Sequence, residues 1–189
     1  MSMTFANKIT IFRILSVPFF IATLLYYTPE KEYLRFVALG IFILAIISDA
    51  IDGYIARTLR QKTKAGALLD PLADKFLLIT AFVLLYVISN KYFPIKMPLW
   101  IMVVVISRDV ILLLGGSIFI LTNQNFEITP TWRGKLSTFF QMMTIACLLL
   151  RLSFCPLVWS VAMIFTVLSG FDYLRKGILI LNSQPAKKI

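Results

Sequence analysis

The feature that most constrains this chain is a series of apolar runs, each about 20 residues long, the length that an α-helix needs to cross a bilayer. The runs predict six membrane-crossing helices, at about 9–28, 34–57, 66–89, 98–121, 134–152 and 155–181. With 59% hydrophobic residues in 189 and a mean hydropathy of +0.86, the chain is more apolar than a soluble domain of its size. We therefore expect an all-α integral membrane protein in which residues 1–189 form a single transmembrane domain.

The basic residues indicate how the helices are oriented. The formal net charge is +10, from 19 Lys and Arg against nine Asp and Glu, but most of the basic residues lie between the apolar runs instead of forming one patch. We therefore expect them to contact membrane lipids and no nucleic acid. Most of them fall on one side when both termini are placed in the cytoplasm. This indicates a multi-pass protein with both termini in the cytoplasm. We expect it in the cytoplasmic (inner) membrane of a bacterium.

Several kinds of chemistry are excluded by what the sequence lacks. It contains no histidine, so His nucleophiles, His bases and His-bound zinc are excluded. Cys147 and Cys155 lie in apolar surroundings without metal-binding spacing, so we expect no disulfide or redox role. Arg13 interrupts the first apolar run and no small-residue cleavage site follows, so we expect a retained helix and not a signal peptide. Carboxylates remain as the groups that can carry chemistry.

Four of the nine acidic residues lie in one stretch, "SDAIDGYIARTLRQKTKAGALLDPLADK" at residues 48–75. Asp49 and Asp52 are spaced i,i+3, Asp70 and Asp74 are spaced i,i+4, and each pair would share one helix face. A short basic loop would bring the two pairs together near the cytoplasmic face. Carboxylates so close in a low dielectric repel, so we expect cations to neutralise them. Hard oxygen ligands favour Mg²⁺, Mn²⁺ or Ca²⁺, and two divalent ions would balance the charge.

The residues between the acids predict a phosphate ligand. Gly53 and Ala56 share the face of the first pair and leave a shallow trough, while Gly66 lies one turn before Asp70. Arg57 offers a planar fork suited to phosphate. Together these residues predict a site for a diphosphate that carries a nucleoside.

This stretch resembles the complete signature of the CDP-alcohol phosphotransferase family, which it matches at every fixed position: Asp49-x-x-Asp52-Gly53-x-x-Ala56-Arg57-x8-Gly66-x3-Asp70-x3-Asp74. The resemblance also covers the six-crossing layout, and it implies a homodimer with two divalent cations, Mg²⁺ or Mn²⁺. It implies that one metal is bound by Asp49, Asp52 and Asp70, and the second by Asp49, Asp70 and Asp74. Asp74 would be the general base. The CDP moiety would be bound by Gly53, Ala56, Arg57 and Gly66.

Polar residues inside the other runs indicate what kind of acceptor alcohol the enzyme would use. Arg108 lies about ten residues into the fourth run, an expensive place for a charge. The adjacent Asp109 should point to another side of the helix, so we expect no simple pair. Lys135 opens the fifth run, and Thr10 and Arg13 line one side of the first helix. We expect Arg108, Lys135, Arg13 and Thr10 to bind a phosphate that the acceptor itself carries.

Within the family, "NKITIFR", "SRD", "GKLST" and "FTVLSGFDYLRKG" are most similar to the members that convert CDP-diacylglycerol and glycerol-3-phosphate to phosphatidylglycerophosphate and CMP. In the last of these segments, Asp172 is expected to pair with Arg175 and Lys176 at the helix end. Three alternatives stay open. They are a cardiolipin synthase of the same family with phosphatidylglycerol as acceptor, a membrane prenyltransferase, and a small cation transporter. A cardiolipin synthase similar to phospholipase D is excluded, because that type uses paired histidines.

Overall fold

A computed structural model describes residues 5–59, 64–121 and 131–182, with side chains described over 15–48, 51, 75–114 and 131–175. Over these residues the fold is all-helical, with a short 3₁₀ helix at Pro29–Lys31 after the first long helix. The long helices are α1 (Phe5–Leu25), α2 (Tyr33–Leu59), α3 (Lys64–Tyr92), α4 (Leu99–Leu121), α5 (Trp132–Leu150) and α6 (Cys155–Asn182). Over the described residues the prediction of an all-α chain is confirmed, and each long helix overlaps one of the six predicted runs.

Two of these helices contain a described stretch that is long and apolar enough to cross a membrane. They are Lys75–Tyr92 in α3 and Cys155–Arg175 in α6. Shorter apolar stretches, Leu15–Leu25 and Tyr33–Ser48, belong to α1 and α2. Within the described part of the chain, length and composition support a membrane crossing directly for these two helices. The full set of six crossings stays a prediction.

The distribution of side chains is that of helices packed in an apolar solvent. Phe19, Leu157 and Phe171 are each about two-thirds exposed, at 67%, 68% and 69%, whereas Arg108 and Asp109 are buried. Water-soluble proteins rarely expose so much large apolar surface while burying charge. Acyl chains of a bilayer would cover such a surface without cost.

Packing of the helices brings α3, α4, α5 and α6 together. α5 and α6 pack along each other, α1 packs on α2 and α3, and α4 packs on α3 and α6. The core between them is one cluster of buried apolar side chains, including Phe20, Phe42, Phe82, Leu85 and Ile145. The α4–α6 and α5–α6 contacts position the polar cluster described below.

The two cysteines lie on either side of the short connection between α5 and α6. Cys147 in α5 and Cys155 at the start of α6 are buried and free.

Charged side chains pin the bundle at the end where α2 begins, remote from the acidic stretch. Arg35 is buried and its Nη1 donates to the Leu149 carbonyl of α5 at 2.8 Å. That carbonyl belongs to the last turn of α5, where no helical N–H is available. Arg151 ends α5 in the left-handed conformation, with φ 54°, and its guanidinium contacts Glu32 and the Tyr27 hydroxyl. The loop after α1, the start of α2 and the end of α5 are thereby tied together.

We predict that Arg35→Met lowers the free energy of unfolding by about 2 kcal/mol, because a buried carbonyl loses a charged donor. For a chain of this size that corresponds to a midpoint of thermal unfolding lower by about 4–8 °C, measured in a single detergent. The control is Arg133→Met. Arg133 is 54% exposed in its pair with Asp172, and exposed pairs contribute less than about 1 kcal/mol. Equal shifts for the two variants would contradict the assignment.

Candidate functional site

The acidic stretch is helical on both sides of the connection between α2 and α3. α2 continues to Leu59, so Asp49 and Asp52 lie one turn apart on it, and α3 begins at Lys64, so Asp70 and Asp74 also lie one turn apart. The predicted helical placement of each pair is confirmed. The connection, residues 60–63, lies outside the described residues, as do the side chains of Asp49, Asp52, Gly53, Ala56, Arg57, Gly66, Asp70 and Asp74.

The predicted metal site rests on the chemistry of its donor set. Among the described side chains there is no group of three or more His, Cys, Asp or Glu that could bind a metal, and the four aspartates are not among those side chains. Two carboxylate pairs at helical spacing supply hard oxygen donors, the type that Mg²⁺ and Mn²⁺ prefer. The donor set fits divalent cations, and the individual roles stay predictions. Thr10 and Arg13 lie on α1, which packs on α2 and α3, and their side chains are likewise outside the described part.

At the end of this stretch, the buried carboxylate of Asp109 contacts two cationic side chains, Lys75 and Arg108. Lys75 follows Asp74, and its Nζ lies 2.9 Å from Asp109 Oδ1 on α4. Arg108 Nη1 donates to the same oxygen at 2.7 Å, and Asp109 is fully buried. The expectation that Arg108 and Asp109 do not pair is therefore wrong. The Cβ atoms of neighbouring helical residues diverge, but the long arginine side chain bends back to the carboxylate that follows it.

A second contact fixes the Arg108 guanidinium to α6. Its Nη2 donates to Ser169 Oγ at 2.7 Å, and Arg108 Nε has no hydrogen-bond partner among the described residues. Our sequence analysis did not single out Ser169. The signal that could have found it is a stripe of polar and small residues on α6, Thr166, Ser169, Gly170 and Tyr173, at the spacing of one helix face.

The N-terminus of α5 approaches this guanidinium closely because it contains a glycine. Thr131 caps the helix by accepting the Gly134 N–H at 3.2 Å. A Cβ on Gly134 would lie 3.2 Å from Thr131 Oγ1, 3.3 Å from Ser169 Oγ and 3.4 Å from Arg108 Nη2. The adjacent Lys135 is exposed and makes no ion pair among the described residues. The start of α5 also brings the partial positive charge of the helix dipole to this region.

Polar residues further along α5 join it to α6 instead of facing a ligand. Ser137 Oγ and Thr166 Oγ1 lie 2.9 Å apart, and Gln141 Nε2 donates to both, at 3.3 and 3.2 Å. Thr166 in turn donates to the Ala162 carbonyl at 2.7 Å. The Thr138 hydroxyl is used within α5 itself. These residues form a buried polar seam between the two helices.

The partner of Asp172 differs from the one expected. Its two carboxylate oxygens accept from Arg133 Nη1 on α5, at 2.9 and 3.2 Å. Arg175 makes no such contact among the described residues, so the predicted pair with Arg175 is wrong, and the side chain of Lys176 lies outside them. α5 runs beside α6 at this level, so a cross-helix partner replaces the one on the same helix.

An apolar groove of about 250 Å³ lies between α4 and α6, beside the cluster. Its lining is mostly aliphatic but includes Arg108, Thr166, Gly170 and Tyr173. The Arg108 stem passes Gly170, where an added Cβ would meet only Arg108 Cγ at 4.0 Å. Arg108 therefore lies at the boundary between a polar cluster and an apolar groove.

Comparison with known proteins links these features to a family. A family model described as CDP-alcohol phosphatidyltransferase matches residues 3–171. A Haemophilus influenzae protein named CDP-diacylglycerol–glycerol-3-phosphate 3-phosphatidyltransferase is 34% identical, over 93% of this chain and 95% of its own. The Escherichia coli K12 protein of the same name is 31% identical, over 92% and 94%. A probable phosphatidylglycerophosphate synthase of Mycobacterium tuberculosis CDC 1551 is 32% identical, over 92% and 81%.

We predict that Gly134→Ala destabilises the protein, although alanine is the better helix former. The added methyl would displace the capping hydroxyl of Thr131 or the Arg108–Ser169 contact. Gly40→Ala is the matched control, because a Cβ there meets nothing within 4 Å and should gain up to about 1 kcal/mol. The midpoint of thermal unfolding in one detergent should rise for Gly40→Ala and fall for Gly134→Ala. An equal rise for both would refute the close approach.

Proposed function

Since the chain belongs to the CDP-alcohol phosphatidyltransferase family, we propose that it transfers a phosphatidyl group from CDP-diacylglycerol to glycerol-3-phosphate. The products are phosphatidylglycerophosphate and CMP. Family membership makes it a membrane-bound transferase of phospholipid biosynthesis. The observation that carries the choice of acceptor is Arg108, a buried guanidinium with an unpartnered Nε among the described residues. Such a group suits an acceptor that carries its own phosphate.

In this proposal the acidic stretch binds the donor. Divalent cations, two ions of Mg²⁺ or Mn²⁺ held by the four aspartates, supply charge neutralisation for the diphosphate when they are bound. The sets are Asp49, Asp52 and Asp70 for one ion, and Asp49, Asp70 and Asp74 for the other. The small side chains of Gly53, Ala56 and Gly66 let the CDP moiety approach the helix backbone. Arg57 pairs with its phosphates.

The chemical step is one substitution at phosphorus. The Asp74 carboxylate accepts the proton of an acceptor hydroxyl, and the oxygen attacks the phosphorus that bears diacylglycerol. The bond from that phosphorus to the oxygen bridging to CMP breaks, and CMP leaves with the electron pair. Arg108 and Lys135, with Arg13 and Thr10 from α1, hold the phosphate of glycerol-3-phosphate so that its hydroxyl is oriented for attack.

The membrane placement follows from the same proposal. Six crossings with both termini in the cytoplasm would put the acidic stretch at the cytoplasmic face of a bacterial inner membrane. The exposed apolar side chains and the bias of the basic residues support this arrangement. A lipid-tailed donor would enter sideways from the bilayer, and a soluble acceptor would enter from water. We also propose a homodimer, on family resemblance.

A second candidate is a cardiolipin synthase of the same family, in which phosphatidylglycerol is the acceptor. The observation that favours it is the apolar groove between α4 and α6, which reaches Arg108 and could accept an acyl chain. Prenyl transfer and cation transport are not favoured, because the family model covers residues 3–171.

We predict that the purified enzyme with CDP-diacylglycerol and Mg²⁺ or Mn²⁺ releases CMP when glycerol-3-phosphate is added. Serine, which lacks a phosphate for Arg108, should give no release above the rate without acceptor. The measurement is CMP by chromatography, with the lipid product identified by mass. Release with phosphatidylglycerol alone would replace the first candidate by the second.

We predict that Asp74→Asn lowers kcat by about 10²–10⁴-fold, the range for loss of a general base, while the midpoint of thermal unfolding stays near that of the wild type. Asp172→Asn is the control, the same chemical change in an aspartate that pairs with Arg133 at the surface. It should retain most of the activity. A fully active Asp74→Asn enzyme would remove the proposed base.

A further inference from the structure

We propose that Asp109 is a positioning residue that aims the Arg108 guanidinium at the phosphate of the acceptor. This inference rests on the proposed function and deepens it, because it says how the acceptor site is held. Asp109 itself need not touch the acceptor.

The two anchors of Arg108 set the plane of its guanidinium. Nη1 is held by Asp109 at 2.7 Å and Nη2 by Ser169 at 2.7 Å. A planar group held at both terminal nitrogens cannot turn about the Cδ–Nε bond that joins it to the side-chain stem. The Nε–H and the second hydrogens of the terminal nitrogens are then presented in a fixed direction, and Nε has no partner among the described residues. Planar N–H pairs of this kind are what a phosphate accepts from an arginine.

The anchor has to be charged. A guanidinium with 8% exposure has lost most of its water, and a neutral serine compensates little of that cost. Asp109 brings a full negative charge, but it meets two cations at one oxygen, Arg108 and Lys75. The carboxylate therefore compensates the burial of the guanidinium, while the Arg108 Nε–H keeps no partner among the described residues.

The same oxygen couples the acceptor side to the helix that carries the proposed base. Lys75 directly follows Asp74 on α3, and its Nζ lies 2.9 Å from Asp109 Oδ1. Asp109 thus connects α3 with the guanidinium on α4. Fixing that connection limits how far the acceptor phosphate can move relative to Asp74, the type of constraint that raises rate through orientation.

The test compares Asp109→Asn with the wild type in steady-state kinetics. Asparagine keeps the size of the side chain but removes the charge. We expect the KM for glycerol-3-phosphate to rise about tenfold or more, the effect of one lost charged hydrogen bond. The KM for CDP-diacylglycerol should stay within about twofold, because the donor is bound by other residues. Asp172→Asn, which breaks the exposed Arg133 pair, is the matched control and should change neither KM.

Two further variants separate positioning from charge burial. Ser169→Ala removes the other anchor without leaving a buried charge unpaired, and should raise the KM for glycerol-3-phosphate about threefold to tenfold. In a double-mutant cycle, Asp109→Asn is also made in a Lys75→Met background. It should still raise the KM for glycerol-3-phosphate there. If Lys75→Met abolishes that effect, Asp109 acts on the acceptor through Lys75 and not through Arg108, and the proposal is wrong. If Asp109→Asn does not fold, Ser169→Ala decides, and an unchanged KM overturns the proposal.

Failure of the proposed function would look different. A wild type that releases CMP only with phosphatidylglycerol would change the acceptor, not the role of Asp109. The same variants measured against phosphatidylglycerol, which also carries a phosphate, would then decide. Unchanged acceptor KM values in Asp109→Asn and Ser169→Ala would refute the positioning role with either acceptor.

Discussion

A guanidinium inside an apolar helix bundle is stable only when protein atoms replace the water that it has lost. Arg108 meets this constraint with one carboxylate and one hydroxyl, from Asp109 on its own helix and Ser169 on α6. The carboxylate is fully buried and also contacts Lys75 of α3. Satisfying one buried charge has therefore drawn together three helices. The polar cluster lies where it does because α3, α4 and α6 must all reach it.

The pairing of α5 with α6 also depends on the apolar surroundings of the helices. In lipid, apolar side chains give helices little reason to associate, so packing of small residues and interhelical hydrogen bonds matter more. The seam of Ser137, Gln141 and Thr166 supplies such bonds inside the bundle, and Arg133 with Asp172 supplies an ion pair near one end. Gly134 lets the capped start of α5 come within contact distance of the guanidinium. The seam thereby fixes the level at which α5 meets the polar cluster.

Most of the helical layout could be predicted from the sequence, because apolar runs are local signals. The helical placement of the acidic stretch could also be predicted, since the spacing within each pair of aspartates is that of one helix face. Contacts between side chains could not. The Arg108–Asp109 pair was missed because helical geometry places Cβ atoms but not the end of a long side chain. The predicted partner of Asp172 was wrong, because nothing in the sequence indicates that Arg133 of α5 lies closer to its carboxylate than Arg175 does. Gly134 and Ser169 acquire their importance only from the crossing of α5, α4 and α6.

The hydrogen-bond donors of the Arg108 guanidinium bear on the choice of acceptor. Asp109 and Ser169 hold its terminal nitrogens, and its Nε–H has no partner among the described residues. A phosphate on the acceptor would accept from that N–H. Choline and ethanolamine carry no anionic group, so they would leave the N–H unpaired and would add a third cation beside Arg108 and Lys75. Sites with buried polar groups discriminate mainly by this penalty for an unsatisfied partner. Selectivity for a phosphorylated acceptor can then arise without any contact to the rest of the alcohol. Such a site would distinguish glycerol-3-phosphate from phosphatidylglycerol only by what adjoins Arg108, and that surface is the groove between α4 and α6.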